Sequence, residues 1–540
     1  MQMWVGETKM NMAQMKIDPG KARNAEGGKV VVAASLGTMF EWYDFFVYGS
    51  LAAVFSAHFF PAGNETGAFL ASLATFGVGF AVRPFGAVLF GQIGDRFGRK
   101  STLLATIIMM GLATTLIGMV PTYAAIGLAA PIILVLLRLV QGLAISGEYG
   151  GASAYVSEYF GNRNRGLATS WIQSGPSIGF LLSLAAIIFC SSILSSADFT
   201  AWGWRLPFLF SIILLLLSAY IRTRLSESPV FARAKTSGDL SSSPVAESLL
   251  RWENLKLIIV ATVVAAAQAV VWNVAHFYVL FFLTQEVKVA LSTAYMLIGL
   301  SVLISIPLYP LFGAISDKVG RRPVLITGLL LSVFTLMPTY QGLMKSLNPA
   351  LAAATEKNPV VLIASGCNLR LFSAPVSDCD KAKDFLYKAG VSYLSETSPS
   401  TAGMTLKVGD KTMSGFNLDA FRAALKEAGY PASADPKDAN YLQAFCLLLM
   451  LAVFAAMACA PIATFLAEMF PARLRYTSIS IPYSMGSGVI GGFFPFVGTA
   501  IIVTTGSVFG SLWYPIIIAA IGAVVLLFIV GETNKKDIHT

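Results

Sequence analysis

Twelve long runs of apolar residues alternate with short polar segments along this chain of 540 residues. An α-helix needs about 20 residues to cross the hydrocarbon core of a bilayer, and it satisfies its own backbone hydrogen bonds there. The pattern therefore predicts an all-α membrane protein with twelve transmembrane helices. The predicted spans are residues 30–56, 68–91, 102–121, 124–147, 167–194, 205–221, 256–284, 292–313, 323–344, 441–465, 477–503 and 511–531.

Composition supports this class and argues against a water-soluble protein. Hydrophobic residues make up 56% of the chain and charged residues only 12%, whereas soluble proteins carry about 25% charged residues. The first ten residues, MQMWVGETKM, do not follow the pattern of a removable signal peptide. The sequence shows no nucleophile–base set, phosphate loop or Cys/His metal spacing. We therefore expect no enzymatic activity, no metal and no cofactor.

The net charge of +9 is best explained by membrane topology, not by nucleic-acid binding. Lys and Arg concentrate in alternate polar segments, which by the positive-inside rule face the cytoplasm. This pattern predicts that both termini lie in the cytoplasm.

One long outer segment, residues 345–440, departs from the apolar pattern. It holds 21 charged residues and is rich in Pro, Ser and Asp. Helical spacing at 378–390 and 417–429 and alternation at 404–413 predict a small α+β subdomain with two helices and a hairpin. Cys367 and Cys379 lie in this extracytoplasmic insertion, where oxidation is allowed. We expect a disulfide between them; two buried thiols are the alternative.

Two polar motifs occur twice and divide the chain into halves. The first, GQIGDRFGRK at 91–100, is echoed by GAISDKVGRR at 313–322, an offset of 222 (313 − 91). The second, at 157–166, is echoed at 467–475 with an offset of 310 (468 − 158), so the second half contains an insertion. The predicted units are a tail at 1–29, a six-helix half at 30–222, a linker at 223–254, helices 7–9 at 255–344, the insertion at 345–440, helices 10–12 at 441–531 and a tail at 532–540.

Four charged residues fall deep inside predicted spans of the first half: Glu41, Asp44, Arg83 and Arg138. Charges at such a depth are costly and usually functional. At 1.5 Å per residue the four lie at similar depths, so we expect them to face one another or a wet cavity. A structural network of ion pairs is the alternative.

The repeated loop motif resembles that of the major facilitator superfamily. Glu41-Trp-Tyr-Asp44 in span 1, Arg83-Pro-Phe-Gly in span 2, the Gln141–Gly151 stretch in span 4 and Glu227-Ser-Pro after span 6 resemble its metabolite:proton symporters. That group includes bacterial carriers for α-ketoglutarate, citrate, shikimate and proline/betaine, which implies a location in the bacterial inner membrane. The long outer insertion is similar to that of haloacid/acetate permeases.

The resemblance implies roles for the buried polar residues. Arg83 would bind a substrate carboxylate, since its planar fork holds two oxygens and stays charged. Asp44, or else Glu41, would carry the proton and be released from arginine when the substrate anion arrives. Each role has a structural alternative, stronger for His276 than for the others. The predicted substrate-binding residues are Arg83, Tyr43, Tyr48, Gln141 and Asn273, and the predicted proton-coupling residues are Asp44, Glu41, Arg138 and His276.

The repeated motifs would form a gate on the cytoplasmic side. Asp95 should meet the positive end, or cationic neighbours, of a helix from the other half, and Asp317 should mirror it. We expect Glu148 and Glu158 to pair with Arg96 or Arg99. The predicted gate residues are Asp95, Arg96, Arg99, Glu148, Glu158, Asp317, Arg321, Arg322, Glu468 and Arg475.

These inferences favour a proton-coupled importer of a small organic anion, with acetate or haloacetate as the leading substrate. Alternatives are a symporter for a di- or tricarboxylate, a shikimate-like acid or a zwitterionic osmolyte. A proton-driven drug exporter and a sensor that has lost transport are less favoured. The expected partners are the substrate, protons and the lipid bilayer, with no nucleic acid, and the expected functional unit is a monomer.

Overall fold

The computed structural model describes residues 19–60, 65–97, 99–160, 164–223, 244–365, 367, 375–397, 403–471, 474–534 and 536, with the side chains of 19–26, 29, 96, 97, 99 and 100 excepted. Within these residues, twelve helices are long and apolar enough to cross a membrane. The predicted all-α membrane fold with twelve spans is therefore confirmed.

The first half contains spans 1 to 6, and two of them are interrupted. Span 2 breaks before Arg83, where Pro84 follows, because proline cannot donate to the preceding turn. Short helices Ala52–Phe59, Tyr123–Ile126 and Ser196–Ala201 lie between spans. The spans are Pro19–Ser50, Glu65–Ala81 with Arg83–Phe97, Arg99–Met119, Ala129–Phe160, Arg165–Ile193, and Gly203–Arg205 with Leu206–Leu209 and Ser211–Thr223.

The second half contains spans 7 to 12, and here π-helical turns interrupt spans 7 and 11. Such turns add a residue to the helix and are frequent at functional sites. The spans are Trp252–Trp272 with Asn273–Phe277, Tyr278–Phe281 and Phe282–Glu286; Leu291–Ser305 with Leu308–Val319; Arg321–Leu347; Tyr441–Cys459 with Ile462–Met469; Arg475–Tyr483 with Ser484–Gly491 and Phe494–Thr505; and Gly510–Leu512 with Trp513–Phe528.

The predicted tail and the predicted linker both contain helical residues. The helix of span 1 begins at Pro19, ahead of its apolar span, which begins at Val30, so part of the predicted loose tail is helical. In the predicted linker, the structure shows a helix at Pro244–Leu250, while 224–243 lie outside the described residues.

The insertion is the predicted α+β subdomain, with one helix and two strands more than expected. Its helices are α1 Pro349–Lys357, α2 Asp378–Ala389 and α3 Leu418–Glu427, and its strands are β1 Val360–Ala364, β2 Tyr393–Thr397, β3 Thr405–Val408 and β4 Lys411–Ser414. The sheet order is β2-β1-β3-β4, with β1 and β2 parallel and β3–β4 a hairpin. Asn417 caps α3, with its side chain accepting from Ala420 N.

The insertion is held against spans of the second half. Tyr393 N donates to Gly506 O at 2.9 Å, and Ala434 N donates to Lys288 O at 3.1 Å. Lys383 Nζ donates to Thr504 O at 3.0 Å. Since these bonds run to the connections after spans 7 and 11, the insertion should move with the second half as one body.

In the structure Cys367 and Cys379 are joined by a disulfide that ties the chain after β1 to the first turn of α2. A Cys367→Ser/Cys379→Ser double variant is expected to destabilise the insertion by about 2–3 kcal/mol, because the cross-link restricts the unfolded chain. Hydrogen exchange in α2 should then accelerate. Cys446→Ser, which removes an exposed free thiol, is the matched control. Equal exchange in all three proteins would contradict the prediction.

Candidate functional site

A small central cavity lies between the two halves. Its volume of about 30 Å³ leaves room for about one water molecule. Six spans contribute to it, three from each half: spans 1, 2 and 5, and spans 7, 10 and 11. The lining residues are Trp42, Phe46, Phe80, Gln173, Pro176, Gln268, Ala269, Trp272, Asn273, Cys459, Tyr483 and Ser487.

Arg83 lies directly behind three rings of this cavity. Its guanidinium carbon is 5.7 Å from the ring centre of Trp42, 5.5 Å from that of Phe80 and 5.6 Å from that of Tyr483. The side chain is fully buried, and none of its three nitrogens has a hydrogen-bond partner among the described residues. A buried guanidinium is normally paired. Its unmet hydrogen bonds are the strongest indication of a ligand site in the structure.

The two acids of span 1 are also buried and lack ion-pair partners among the described residues. Both oxygens of Glu41 and Oδ1 of Asp44 are unpartnered there. Asp44 lies beside the hydroxyls of Thr114 and Ser211, on spans 3 and 6. Glu41 exerts its charge on Arg83 without forming an ion pair.

A chain of polar groups connects the surroundings of Asp44 with Arg138. Gln141 Nε2 donates to Thr114 Oγ1 at 2.6 Å, and Arg138 Nη1 donates to Gln141 Oε1 at 2.7 Å. Arg138 also lies over the rings of Phe45 and Tyr48, at 4.1 and 4.5 Å. The four deep charges are therefore not a network of direct ion pairs, as the structural alternative required. They are separated by rings and by neutral polar groups.

Several predicted substrate-binding residues lie away from the cavity. Tyr43 OH donates to Pro207 O at 2.6 Å, and Tyr48 OH donates to Ser72 O at 3.3 Å. Gln141 is held by Arg138 and Thr114 instead. None of these three predicted residues is among those that line the cavity.

Asn273 does line the cavity, and His276 lies one turn further along span 7. The imidazole of His276 stacks on Trp272 with the ring centres 4.9 Å apart, and Nδ1 lies 3.2 Å from Trp272 O. One ring nitrogen is thus hydrogen-bonded, as in the structural alternative, while Nε2 is buried without a hydrogen-bond partner among the described residues.

Sequence reasoning missed most of the cavity wall. Gln173 Nε2 donates to Cys459 O at 3.0 Å, and Gln268 Oε1 lies 3.0 Å from Cys459 Sγ. Tyr483 stacks on Tyr149 with the ring centres 3.4 Å apart. Glutamines in otherwise apolar spans were a visible signal for Gln173 and Gln268, but no local pattern marks Tyr483.

We call the end of the bundle that carries the loops at 91–100 and 313–322 the motif end. There Asp95 Oδ2 accepts from Thr477 Oγ1 at 2.7 Å and from Thr477 N at 3.4 Å, at the start of span 11. Asp317 mirrors it by accepting from Gly166 N at 2.8 Å and Leu167 N at 2.9 Å, at the start of span 5. Each aspartate thus meets a helix N-terminus of the opposite half, where negative charge is stabilised.

Two ion pairs between the halves reinforce these contacts. Glu158 pairs with Arg475 at 3.2 Å, and Glu468 pairs with Arg165 at 3.3 Å. Arg321 joins the second pair, 3.1 Å from Glu468 and 2.7 Å from Asp317. Arg165 was not predicted, although its repeat partner Arg475 was, so the internal repeat could have identified it.

The structure gives Glu148 and Arg322 partners other than those predicted. Glu148 pairs with Arg222 of span 6, and the side chains of its predicted partners, Arg96 and Arg99, lie outside the described part of the structure. Arg322 Nε and Nη2 donate to Leu526 O and Leu527 O of span 12. Arg322 therefore contacts its own half.

The opposite end, which carries the insertion, is also closed. Tyr295 OH donates to Ser50 O at 2.8 Å, joining span 8 to span 1. Phe76 and Phe277 stack with their ring centres 4.9 Å apart. We call this the insertion end. Within the described residues, contacts between the halves thus bridge both ends of the bundle, with the small central cavity between them.

Comparisons with known proteins agree with this architecture. The family model of the Sugar (and other) transporter matches residues 29–254. The inner membrane metabolite transport protein YhjE of Escherichia coli is 35% identical over 351 residues, covering 63% of this chain and 77% of the relative. The E. coli shikimate transporter is 36% identical over 333 residues, which cover 60% of this chain and 75% of the relative. The proline/betaine transporter of Salmonella typhimurium is 36% identical, covering 58% of this chain and only 63% of its own length.

The fold matches that of the proton:xylose symporter XylE, with a TM-score of 0.63 at 15% identity over 96% of this chain and 98% of the other. The chain belongs to the major facilitator superfamily. Within that superfamily it falls among the metabolite transporters, as the resemblance of its motifs predicted.

Proposed function

We propose that this protein imports a small metabolite carrying one carboxylate, together with a proton, by alternating access. The observation that carries the proposal is Arg83, a buried guanidinium without a hydrogen-bond partner in the described structure, behind the rings of the central cavity. A substrate carboxylate would supply the missing acceptors in a bidentate contact. Of the relatives, one is named a metabolite transport protein and another a shikimate transporter.

The cavity lining narrows the substrate class. It contains no Lys, Arg or His, so a di- or tricarboxylate would bring a second negative charge with no cation beside it. The carboxamides of Gln173, Gln268 and Asn273 can hydrogen-bond hydroxyl groups. This argument favours a hydroxylated monocarboxylic acid of the shikimate kind. The relatives give no support to acetate or haloacetate, the leading substrates from the sequence.

A zwitterion of the betaine kind is the second candidate, on a separate observation. Trp42, Phe46 and Trp272 form a stack along the cavity, with ring centres 5.1 and 5.2 Å apart. Aromatic faces attract quaternary ammonium groups. Such a substrate would place its carboxylate towards Arg83 and its cation among these rings.

We assign proton coupling to the carboxyls of span 1. Burial disfavours a charged carboxyl, and a nearby arginine favours it. A substrate anion at Arg83 would offset part of the arginine charge that acts on Glu41, of which Arg222 supplies the larger share. Protonation of the acids would then accompany substrate binding, which is the coupling that symport requires.

We place the motif end in the cytoplasm, as the distribution of Lys and Arg predicts. The contacts of Asp95, Asp317, Glu158 and Glu468 then close the inner side, and their separation opens it.

An Asp95→Ala variant should slow uptake about tenfold without weakening substrate binding. The variant loses two hydrogen bonds that join the halves at the motif end, and bonds to a charged group are each worth about 1.5–3 kcal/mol. Uptake rates in proteoliposomes and equilibrium binding of shikimate or betaine measure the two effects. Asp317→Ala, the mirror-related variant, should behave alike. A binding defect with normal uptake would refute the gating role.

Uptake into proteoliposomes tests the function as a whole. Radiolabelled shikimate, betaine, acetate and α-ketoglutarate would be supplied with an acid-outside or acid-inside pH gradient. We expect accumulation of shikimate or betaine only with acid outside. Uptake that is indifferent to the gradient, or confined to α-ketoglutarate, would overturn the proposal.

A further inference from the structure

A large cleft lies outside the membrane spans, between the insertion and the start of span 2. Its volume is about 1000 Å³, at the upper end of the range for small-molecule sites. One face of α2 and one face of α3 form its walls. Glu65, the first helical residue of span 2, closes one side.

The lining residues lie on one face of each of the two helices. Lys381, Asp384, Phe385 and Lys388 follow helical spacing on α2, and so do Leu418, Arg422, Leu425 and Lys426 on α3. Phe416 and Tyr430 add to the apolar surface. The cleft therefore combines an apolar floor with four cations and two anions, a net charge of +2 (four minus two).

Two of the four cations carry no compensating charge in the described structure. Arg422 and Lys426 are exposed, and neither forms an ion pair with a described residue. Lys388 is shared between Asp384 at 3.0 Å and Glu65 at 3.2 Å. Partial burial lowers the pKa of Lys388, but these two carboxylates more than offset this effect and hold the pKa above its ordinary value. Lys388 therefore stays charged at neutral pH.

The Lys388–Glu65 pair also joins the halves, because the insertion is bonded to the second half and span 2 belongs to the first. A ligand anion that contacts Lys388 must compete with Glu65. Its binding would weaken one of the contacts that hold the insertion end closed.

We propose that this cleft binds a small organic anion with an apolar body, such as an aromatic or cyclic carboxylate, in competition with Glu65 for Lys388. The cations of α2 and α3 would hold the carboxylate, and Phe385, Phe416 and Tyr430 would cover the apolar part. The binding site stands on the cleft itself. A further role, in which the cleft supplies substrate to the central cavity, rests on the proposed function.

The test measures binding of 4-fluorobenzoate to the full-length protein in phosphatidylcholine nanodiscs by fluorine NMR. An Arg83→Gln background removes the carboxylate site that we propose at the central cavity. In the Arg83→Gln background we expect saturable binding of 4-fluorobenzoate to persist. Adding Arg422→Gln/Lys426→Gln should weaken this binding roughly fivefold or more, because two exposed ionic contacts are lost. Lys407→Gln/Lys437→Gln removes the same charge from the insertion outside the cleft and should change nothing. Equal effects of the two double variants, or none from the first, would overturn the proposal.

A second variant tests the competition. Glu65→Gln frees Lys388 and should strengthen 4-fluorobenzoate binding about twofold; unchanged or weaker binding would contradict a shared Lys388. In uptake assays, Arg422→Gln/Lys426→Gln should raise the half-saturating substrate concentration and leave the maximal rate unchanged. If the unmodified protein takes up no substrate, the proposed function fails, but the binding comparison still decides whether the cleft is a site.

Discussion

An Arg83→Gln variant is expected to lose binding of a carboxylate substrate by roughly a hundredfold or more, and with it all uptake. Truncating one member of a buried charge pair costs about 2–5 kcal/mol, which corresponds to about 30-fold to several thousandfold in affinity. The affinity of Arg83→Lys should lie between those of the unmodified protein and Arg83→Gln, since an ammonium keeps the charge but lacks the planar fork. Equilibrium binding of labelled shikimate or betaine to purified protein measures both.

Thermal stability separates a binding role of Arg83 from a structural one. Without ligand, the buried guanidinium has no hydrogen-bond partner among the described residues, so glutamine in its place should not lower the melting temperature. With ligand, the melting temperature should rise in the unmodified protein only, because binding to the folded state stabilises it. A lower melting temperature of ligand-free Arg83→Gln would indicate a structural pin instead.

A control variant excludes a general effect of losing an arginine. Arg251→Gln removes a largely exposed guanidinium whose only resolved ion pair, among the described residues, is a surface contact with Glu247. It should bind and transport as the unmodified protein does. Unchanged affinity in Arg83→Gln would remove the main support for the proposed function.

The internal repeat explains why much of the gate could be predicted from the sequence. A motif that occurs at equivalent places in two halves must serve equivalent contacts, so Asp95 and Asp317 were both expected at helix starts of the opposite half. The structure places them at Thr477 and at Gly166. The internal repeat does not predict the pairing of Glu148 with Arg222, because Arg222 falls among the cytoplasmic cations that set the membrane topology.

The cavity wall was harder to predict, since span 1 is buried on every side through residues 40–50. A helix that is apolar and buried all round gives no periodic signal of which face meets a ligand. Trp42 and Phe46, one turn apart, face the cavity, whereas Tyr43 is turned towards span 6. Only the packing of six spans, with π-helical turns in two of the cavity-lining spans, fixes that choice.

The π-helical turns in spans 7 and 11 were also hard to predict from the sequence. The π-helical turns Asn273–Phe277 and Ser484–Gly491 lie beside the cavity and carry the lining residues Asn273 and Ser487. In span 7 no proline or glycine marks the break, whereas in span 11 Pro482 precedes it and Gly486 and Gly488 lie within it. The widened turns depend on how the two halves meet around the cavity.

Asp44→Asn is expected to abolish accumulation driven by a pH gradient while substrate exchange continues. An anion imported with one proton should accumulate about tenfold per unit of pH, because one pH unit is worth about 1.4 kcal/mol. Asparagine keeps the shape of the side chain beside Thr114 and Ser211, but it cannot take up and release a proton. Substrate should then equilibrate across the membrane and not accumulate.

Measuring accumulation and counterflow in the same proteoliposomes distinguishes loss of coupling from loss of the protein. Counterflow needs only substrate binding and the movement of the two halves, so Asp44→Asn should retain it while accumulation falls to the level without a gradient. Glu41→Gln is the matched comparison, one turn away on the same helix and equally buried. If Glu41→Gln loses accumulation and Asp44→Asn does not, the proton is carried by Glu41, whose charge acts on Arg83. If both variants accumulate substrate normally, the carboxyls of span 1 do not carry the proton, and the coupling mechanism proposed for this transporter is wrong.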